Sequence, residues 1–314
     1  MKIGYITDTH ARSETPEGRT DNFNKSLFLK MEEAGHIFNS EGCDVILHGG
    51  DLGDKPDIPY SVYNDLAKVL KAWNKPIYGI IGSHDYYGYE IKSLKRTAAG
   101  ALHTSGIIEL IGSKDMRFTI DLGDVVICGT PHTFWVDDDS QNYYHLKYNK
   151  SKLQIQLTHG MLLEHSAPFQ YTLIDDINTE SDIVLGAHYH PGWKKIKRIN
   201  NTWFVNPGAI ARLDNTGNIR IPKILIIDTQ NKDNLFKLIP LQSAIEHPFK
   251  EKIKESQEEV SYTVVSKIMS LIQKTQVDIV DIKKQLPLVA KELQYDNEVL
   301  EEAFNLIEEA SKEK

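Results

Sequence analysis

The sequence predicts an α/β fold: a four-layer α/β/β/α sandwich of two packed mixed sheets, with a C-terminal helical appendage. In the first third of the chain, short β-branched runs alternate with segments of helical apolar spacing, which is typical of a parallel sheet. From Ile107 onward, strand-like runs follow one another with short connections, which indicates a second sheet with antiparallel hairpins. Past Pro248, glycine disappears and apolar residues recur at helical spacing, which favours a separate group of helices.

Three strands and two helices make up the first part of the predicted fold. The strands are the apolar runs KIGYIT, DVILH and PIYGII. The helix over residues 24–40 ends at the stop signal Gly42, and the helix over residues 59–73 begins with Pro59, which suits a first helical turn. Because each helix carries the chain back across the sheet, the three strands should run parallel and share one edge at their carboxyl ends.

The remaining strands and the terminal helices complete the predicted architecture. The strands are IIELI, RFTIDL, VVICG, LQIQLT, DIVLGA, WKKIKRI, TWFVN, KILIID and LFKLIP. We assign residues 1–240 to one domain and residues 241–314 to the helical appendage, which Pro287 is expected to kink. One long polar segment without periodicity, residues 11–22, is predicted to be a loop.

The composition indicates a folded cytoplasmic protein. With 314 residues, of which 40% are hydrophobic, the chain is long enough to bury one large core. It has no apolar run of about 18 residues that could cross a membrane, and its first residues, MKIGYITDTH, lack the apolar segment of a secretory signal. Cys43 and Cys128 lie far apart without metal-ligand spacing, so we expect two buried free thiols.

The net charge of −8 opposes the approach of a polyanion. A nucleic-acid substrate would therefore need bound metal cations or local basic stretches. Residues 92–96 (KSLKR) and residues 194–198 (KKIKR) are candidates, although such stretches are more often solvated surface.

Polar side chains follow five of the predicted strands at the point where each strand ends. KIGYIT is followed by DTH, DVILH by GGD, PIYGII by GSHD, LQIQLT by HG and DIVLGA by HYH. Taken singly, Asp-Thr-His or Gly-Asp more often marks a turn, and one histidine is more often a hydrogen-bonded core residue. Functional groups of open α/β sheets gather beyond the carboxyl ends of the strands, so the recurrence in five places favours a metal site.

The ligand types narrow the choice of metal. Carboxylates and imidazoles without thiolates suit manganese, iron or zinc and disfavour structural zinc. Six or seven candidate ligands are too many for one tetrahedral ion, but they match two ions that share a bridging carboxylate, about 3.5–4 Å apart. The sequence therefore predicts two divalent metal ions, and the ligand types leave open which of these metals binds.

The ordered motifs DTH, GGDLGD, GSHD, THG and GAHYH resemble the signature of the calcineurin-like metallophosphoesterases, over residues 1 to about 228. The resemblance implies one metal held by Asp8, His10, Asp51 and His190, and a second held by Asp51 as the bridge with Ser83, His159 and His188. It also implies that His84 is the general acid or transition-state stabiliser and that Asp85 orients its ring.

Two positions depart from the family pattern. The family normally has asparagine where this chain has Ser83, which replaces an amide carbonyl ligand with a shorter hydroxyl and predicts a weaker second metal site. Ala187 stands between Gly186 and the two histidines, where the common form places glycine directly before histidine. Since the H-x-H spacing survives, we expect ligation to survive as well.

Within this family, the chain is most similar to the SbcD-type DNA repair exonucleases, which partner a coiled-coil ATPase. The likeness rests on GGDLGDKPD, on the residues that follow GSHD, and on NPGAIARL at residues 206–213. It implies a two-metal phosphodiesterase that acts on DNA and docks an ATPase through its C-terminal helices, and it leaves a homodimer open. Amphipathic helices more often pack on their own domain.

Two other functions stay open on the sequence. A small-molecule or nucleotide phosphodiesterase, or a phosphoprotein phosphatase, would use the same ions, and the acidic net charge favours it. A non-catalytic scaffold is the second alternative, and the presence of His84 beside the other ligands argues against it. Substrate choice should depend on the loops at residues 11–22 and 133–150.

Aromatic side chains near the predicted site are candidates for contacting a substrate. Tyr86, Tyr87 and Trp135 would each provide a ring on which a base could stack. His132, in TPHTFW, could line the cleft and His165 could contact a substrate, but an ordinary loop position is favoured for both.

Overall fold

Two six-stranded sheets form the framework of the protein. The computed structural model describes residues 1–250 apart from 114–115, 134–135, 138–143, 145–150, 215–219, 232 and 246. Residues Met1–Lys250 form one compact unit. The helical appendage predicted over residues 241–314 lies mostly outside the described residues, so the division of the chain at residue 240 stays a prediction.

The first sheet has a parallel centre and an antiparallel edge. Its strands are β1 (Lys2–Ile6), β2 (Val45–His48), β3 (Ile77–Gly79), β4 (Glu109–Leu110), β13 (Lys223–Asp228) and β14 (Phe236–Pro240). They lie in the order β14-β13-β1-β2-β3-β4, in which β1 to β4 are parallel neighbours and β13 runs antiparallel to β1. The parallel arrangement predicted for the first three strands is confirmed.

Three α-helices cover the outer face of this sheet: α1 (Phe23–Ser40), α2 (Tyr60–Ala72) and α3 (Ala98–Thr104). The first two begin and end within one residue of the predicted helices. Asn22 caps α1 by accepting a hydrogen bond from the backbone N–H of Lys25, which satisfies one of the donors that a helix leaves open at its start. The short α3 and the 3₁₀-helix Ile91–Arg96 before it were not predicted.

The second sheet also has a parallel centre. The antiparallel hairpins predicted for it are confined to its two edges. Its strands are β5 (Thr119–Asp121), β6 (Val125–Thr130), β7 (Leu153–Thr158), β10 (Ile183–Gly186), β11 (Lys197–Ile199) and β12 (Thr202–Val205), in the order β11-β12-β10-β7-β6-β5. The four central strands are parallel neighbours. Two short strands, β8 (Leu162–Leu163) and β9 (Thr172–Leu173), form a separate parallel pair.

The expectation that every strand after Ile107 joins the second sheet is wrong in three places. IIELI contributes β4, and KILIID and LFKLIP form the hairpin β13-β14, all in the first sheet. In β13, Leu225 and Ile227 pack between the sheets, whereas Ile224 and Ile226 pack under the helices. A strand that is buried on both faces has a continuous apolar sequence in either sheet, so its pattern does not reveal which one it joins.

Apolar side chains from both sheets meet in one inter-sheet core, as the predicted sandwich requires. Ile3 and Tyr5 of β1 share this core with Ile155 and Leu157 of β7. Each large apolar side chain buried in this way contributes about 1.5–3 kcal/mol. The Tyr5 hydroxyl also donates a hydrogen bond to the carbonyl oxygen of Gly186 over 2.8 Å, which ties β1 to the end of β10. The packing therefore brings the carboxyl ends of the two parallel centres together.

The outer face of the second sheet is covered differently from that of the first. A third apolar cluster, which includes Leu162, Ile174, Trp193 and Phe204, packs there. In the part of the chain that the structure describes, α-helices precede Ile107 and lie over the first sheet. Among those same residues, no helix is both long enough and apolar enough to span a membrane. Cys43 and Cys128 are buried and free, as predicted.

Candidate metal centre

The predicted ligands gather where five parallel strands end, and both sheets contribute to them. Three strands of the first sheet lead to Asp8 and His10, to Asp51, and to the GSHD stretch at residues 82–85. Two strands of the second sheet lead to His159 and to the HYH stretch at residues 188–190. Asp8, His10, Asp51 and His159 are fully buried, whereas the side chain of His190 is 32% exposed. The centre is thus a buried cluster with one open side.

Four of these residues have a strained backbone. The φ angles of Asp8, His10, Asp51 and His188 are +52°, +45°, +53° and +65°, and these residues are half of the eight non-glycine residues with positive φ in the described chain. Each such conformation costs on the order of 1–3 kcal/mol and persists only where the surroundings impose it. Cross-loop hydrogen bonds do so here, because the N–H of Asp8 donates to Gly50 and that of His10 donates to Asp51. Strain of this kind concentrates at functional sites.

One group of four side chains presents its nitrogen and oxygen atoms to a common point. Asp8, His10, Asp51 and His190 each have one such atom within 4.8 Å of all the others. The Nε2 atoms of His10 and His190 are 3.0 Å apart, and His10 Nε2 lies 3.6 Å from Asp51 Oδ2. His190 Nε2 lies 3.7 Å from Asp8 Oδ1. The chain thus brings together the four residues that were predicted for the first metal.

A second group shares one member with the first. Asp51, His159 and His188 also present atoms within 4.8 Å of one another. His159 Nε2 lies 3.2 Å from Asp51 Oδ2, and the Ser83 hydroxyl donates to the same oxygen over 3.3 Å. Asp51 is therefore the carboxylate common to both groups. An added side chain at Gly82 would collide with that carboxylate, which explains the glycine that begins GSHD.

The chemistry of the donor set fits two divalent cations. His159 Nδ1 donates to the carbonyl oxygen of Gly49 over 2.7 Å, so the neutral ring directs the lone pair of Nε2 at the carboxylate oxygens of Asp51 and Asp8. That buried Nε2 atom has no hydrogen-bond partner in the described structure. Lone pairs that face one another at these distances need a positive charge between them, which is a proton in the metal-free protein and would be a divalent cation in the metal-bound one. Oxygen and imidazole ligands without thiolates suit manganese, iron or zinc.

The side chains perturb each other's ionisation strongly. Burial raises the pKa of Asp8. Burial also acts to raise the pKa of Asp51, but the charge of a protonated His159 outweighs it and holds that pKa well below its usual range. The pKa of His159 rises to about 9, because the nearby Asp51 carboxylate outweighs the desolvation of the ring. Burial lowers the pKa of His10 and of His188, which keeps both rings neutral and available as ligands.

His84 lies at the open side of the centre. Its side chain is exposed, and its ring packs edge-on against that of His10 with centroids 4.8 Å apart. Its Nδ1 donates to the backbone carbonyl oxygen of Asp54 over 2.7 Å, which leaves Nε2 unprotonated in the neutral ring. His10, Asp54 and His84 form a third group with atoms within 4.8 Å, but the Asp54 carboxylate already pairs with Arg12 over 3.2 Å.

The role predicted for Asp85 is wrong. Its carboxylate does not orient His84 but accepts three backbone N–H groups, from Asp51 and Gly82 over 2.8 Å each and from Leu52 over 2.9 Å. Burial, and then the charge of Asp51, raises the pKa of Asp85 to about 7. The side chain points inward, so Asp85 holds the loops that carry Asp51 and Ser83, and the carbonyl of Asp54 orients His84.

The family model for calcineurin-like phosphoesterase matches residues 1–192, which is more than half of the chain. The chain belongs to the calcineurin-like phosphoesterase family. The match spans all five strand ends described above, including the HYH stretch at residues 188–190. The recognition made from the ordered motifs is confirmed, and so is the prediction of a metallophosphoesterase hydrolase.

A curated relative and two solved structures resemble this phosphoesterase. The DNA double-strand break repair protein Mre11 of Aeropyrum pernix is 25% identical over 227 residues, which cover 68% of this chain and 54% of that protein. This chain thus spans about half the length of that relative. A dimetal phosphatase from Danio rerio superposes with a TM-score of 0.50 at 9% identity, over 80% of this chain and 99% of the other. The protein TT1561 of Thermus thermophilus has a TM-score of 0.49 at 13% identity, over 77% and 99%.

Two residues of the phosphoesterase site, Asp54 and His132, were not predicted from the sequence. Asp54, the second aspartate of GGDLGD, was quoted without a role, although its carbonyl holds His84. For His132, an ordinary loop position was favoured over a place in the cleft, but the residue is 9% exposed and its ring centroid lies 5.5 Å from that of His188. His132 follows β6, so the rule used for the other strand ends would have found it.

Ser83 provides a test of the second ligand group. We expect Ser83→Asn to tighten the weaker of two metal-binding events by about tenfold, equivalent to about 1.4 kcal/mol, because an amide carbonyl is a longer and better oxygen ligand than a hydroxyl. Calorimetric titration of the metal-free protein with manganese measures both events. Ser83→Ala is the matched control and should not tighten either one. Two equally tight sites in the parent protein, unchanged by Ser83→Asn, would contradict the expectation.

A segment of four residues, 209–212, supports the centre from behind. On one side, the N–H groups of Ala209 and Ala211 donate to the backbone carbonyls of His190 and Asp8. On the other side, three of the four carbonyls each accept a hydrogen bond from a different basic side chain: Ile210 from Lys30 (2.5 Å), Ala211 from Arg220 (2.9 Å) and Arg212 from Arg19 (2.7 Å). Arg19 belongs to the loop predicted at residues 11–22, so part of that loop supports the segment behind the metal centre.

Lys30 should make stability depend on alkaline pH. Burial, and then the charges of Arg212 and Arg19, lower its pKa well below the usual value. The unfolded chain, with a lysine pKa of about 10.4, then binds the proton more readily, so the folded state gains stability as pH rises towards that value. We expect the free energy of unfolding of the parent protein minus that of Lys30→Met to increase between about pH 7 and 10 in urea titrations. Lys68→Met, at an exposed position, is the control, and a pH-independent difference for Lys30→Met would refute the expectation.

Proposed function

We propose that this protein is a phosphodiesterase that depends on two divalent cations, with manganese as the expected metal and DNA as the expected substrate. The observation that carries the proposal is the sharing of Asp51 between two ligand groups. Asp8, His10, Asp51 and His190 would hold one cation, and Asp51, Ser83, His159 and His188 would hold the other. When bound, the two cations neutralise developing charge on the phosphoryl group and lower the pKa of water.

In the proposed reaction, the side chains of this protein hold the cations in place and supply a proton to the leaving oxygen. The buried carboxylates and imidazoles would hold the cations, so a phosphate would bind at the open side of the centre, where His84 and His190 are accessible. His84, held at Nδ1 by the Asp54 carbonyl, presents Nε2 towards that side. A proton carried on Nε2 would pass to the leaving oxygen as a water oxygen bonds to phosphorus and the ester bond breaks. Asp85 keeps Asp51 in place through its backbone.

Two observations support DNA as the substrate. The chain is similar to a protein named for DNA double-strand break repair. Exposed Lys92, Lys95 and Arg96 follow the GSHD loop and would contact a phosphate backbone near the centre. The net charge of −8 favours a small-molecule or nucleotide phosphodiester, or a phosphoprotein, as the second candidate. The complete ligand groups argue against a non-catalytic scaffold.

The proposed partners rest on the sequence. Docking of a coiled-coil ATPase concerns the helices predicted after Pro248, which lie outside the described residues. A homodimer and a cytoplasmic location likewise stay predictions. Co-purification of the full chain with a coiled-coil ATPase would support the first of them.

One panel of substrates tests the proposal. The purified chain is loaded with manganese and given linear duplex DNA, single-stranded DNA, bis(p-nitrophenyl) phosphate and p-nitrophenyl phosphate. We expect cleavage of DNA and of the diester, little hydrolysis of the monoester, and loss of all activity in EDTA. A preference for the monoester would overturn the choice of substrate. Cleavage that persists in EDTA would overturn the dependence on metal.

A further inference from the structure

Three tyrosines in the loop after β3 differ in what they contact. Tyr86 is 4% exposed, and its hydroxyl donates to the backbone carbonyl of His132 over 2.8 Å. Tyr87 is partly buried, and the guanidinium carbon of Arg96 lies 4.7 Å from its ring centre. Tyr89 instead keeps 49% of its surface exposed. Of the aromatic residues proposed from the sequence, Tyr86 is too deeply buried to stack on a ligand, and Trp135 lies outside the described residues.

A row of rings connects Tyr89 to the metal centre. The ring centroid of Tyr89 lies 5.4 Å from that of His132, with a tilt of 34° between the two planes. The ring of His132 in turn lies 5.5 Å from His188 and 6.1 Å from His159. Tyr89 is thus the solvent-exposed end of a row whose buried end belongs to the second ligand group.

The backbone of Tyr89 is held in an unfavourable conformation. Its φ angle is +56°, in the left-handed region that a bulky aromatic residue rarely adopts because it is strained there. The ring packs edge-on against Tyr86, with centroids 6.0 Å apart, and Tyr86 is itself anchored on His132. The loop therefore holds an exposed ring beside the metal centre, although a different backbone conformation of Tyr89 would be less strained.

We propose that Tyr89 is a stacking platform for a nucleobase next to the phosphate that reacts, and thus a specificity-determining residue. The inference rests on the proposed phosphodiesterase function, because the phosphate must lie at the metal centre. Stacking on an aromatic ring stabilises a bound base and tolerates any base, since each has a π-face. The specificity is therefore for substrates that carry a base and not for one kind of base. Lys92 and Lys95, exposed in the 3₁₀-helix that follows, would contact flanking phosphates.

Base-dependent binding tests the role of Tyr89. In a His84→Ala background with manganese, fluorescence anisotropy measures binding of a labelled single-stranded thymidine 12-mer and of an abasic 12-mer with the same phosphates. We expect tighter binding of the thymidine strand, and we expect Tyr89→Leu to weaken it about tenfold without affecting the abasic strand. Tyr89→Phe should restore the difference, because the ring and not the hydroxyl makes the contact. Thymidine monophosphate is then added as a competitor. Displacement of the labelled strand would show that a free nucleotide also binds, and its absence would show that a strand is required. Either result supports recognition of a nucleobase.

The controls separate this inference from the proposed function. Tyr60→Ala removes a tyrosine that is 87% exposed on α2 and should change neither binding curve. Equal binding of both strands by the parent protein, or a Tyr89→Leu protein that still prefers the thymidine strand to the same extent, would overturn the role of Tyr89. Absence of hydrolysis by the parent chain in the substrate panel would instead overturn the proposed function, whatever the binding experiment shows.

Discussion

Asp51→Asn should abolish metal-dependent hydrolysis and reduce the number of bound divalent cations. Asp51 is the only residue that belongs to both ligand groups in the described chain, and its carboxylate lies 3.2 Å from His159 and 3.6 Å from His10. The amide has the same shape but no charge, so it cannot neutralise two cations at once. We expect a loss in rate of about a thousandfold or more, as for removal of a major electrostatic contact in an active site.

The measurement combines metal content with rate. Elemental analysis after dialysis gives the number of manganese ions per chain, and hydrolysis of bis(p-nitrophenyl) phosphate gives the rate. Asp65→Asn, at an exposed position on α2, is the matched control and should retain both values. If Asp51→Asn protein kept two ions and most of its turnover, Asp51 would not be the bridging ligand and the proposed arrangement would fail.

His84→Ala should retain the bound metal and lose most of the turnover. His84 belongs to neither of the groups that contain Asp51, and its Nδ1 is engaged by the Asp54 carbonyl. General acid catalysis contributes about 10²- to 10⁴-fold, so a loss of that size is expected for a substrate with an alkoxide leaving group. Because p-nitrophenolate needs no proton to leave, the loss with bis(p-nitrophenyl) phosphate should be much smaller than with DNA.

The comparison of leaving groups separates a general acid from a metal ligand. If His84 were a ligand through its group with His10 and Asp54, its removal would lower metal content and slow both substrates alike. His36→Ala removes an exposed histidine from α1 and should change neither rate. Near-normal cleavage of DNA by His84→Ala protein would remove His84 from the proposed mechanism.

The gathering of the candidate ligands could be predicted because each follows directly from a strand end. Asp8, Asp51 and His159 come immediately or soon after apolar runs, and parallel strands place their carboxyl ends on a common side. The ends of α1 and α2 were predictable for a similar reason, since apolar spacing, Pro59 and Gly42 act locally. His132 follows β6 and was predictable by the same rule.

The sequence by itself therefore determined the fold class, the two long helices, the chemical types of the ligands and the family. Only the tertiary structure decided that β4, β13 and β14 join the first sheet, that Asp54 and not Asp85 holds His84, and that Tyr89 is the tyrosine left exposed beside the centre. The physical reason is the distance along the chain over which each interaction acts. Periodicity and turn chemistry act between neighbours in the chain, whereas the direction of a side chain in a loop depends on distant segments that compete to pack and hydrogen-bond with it.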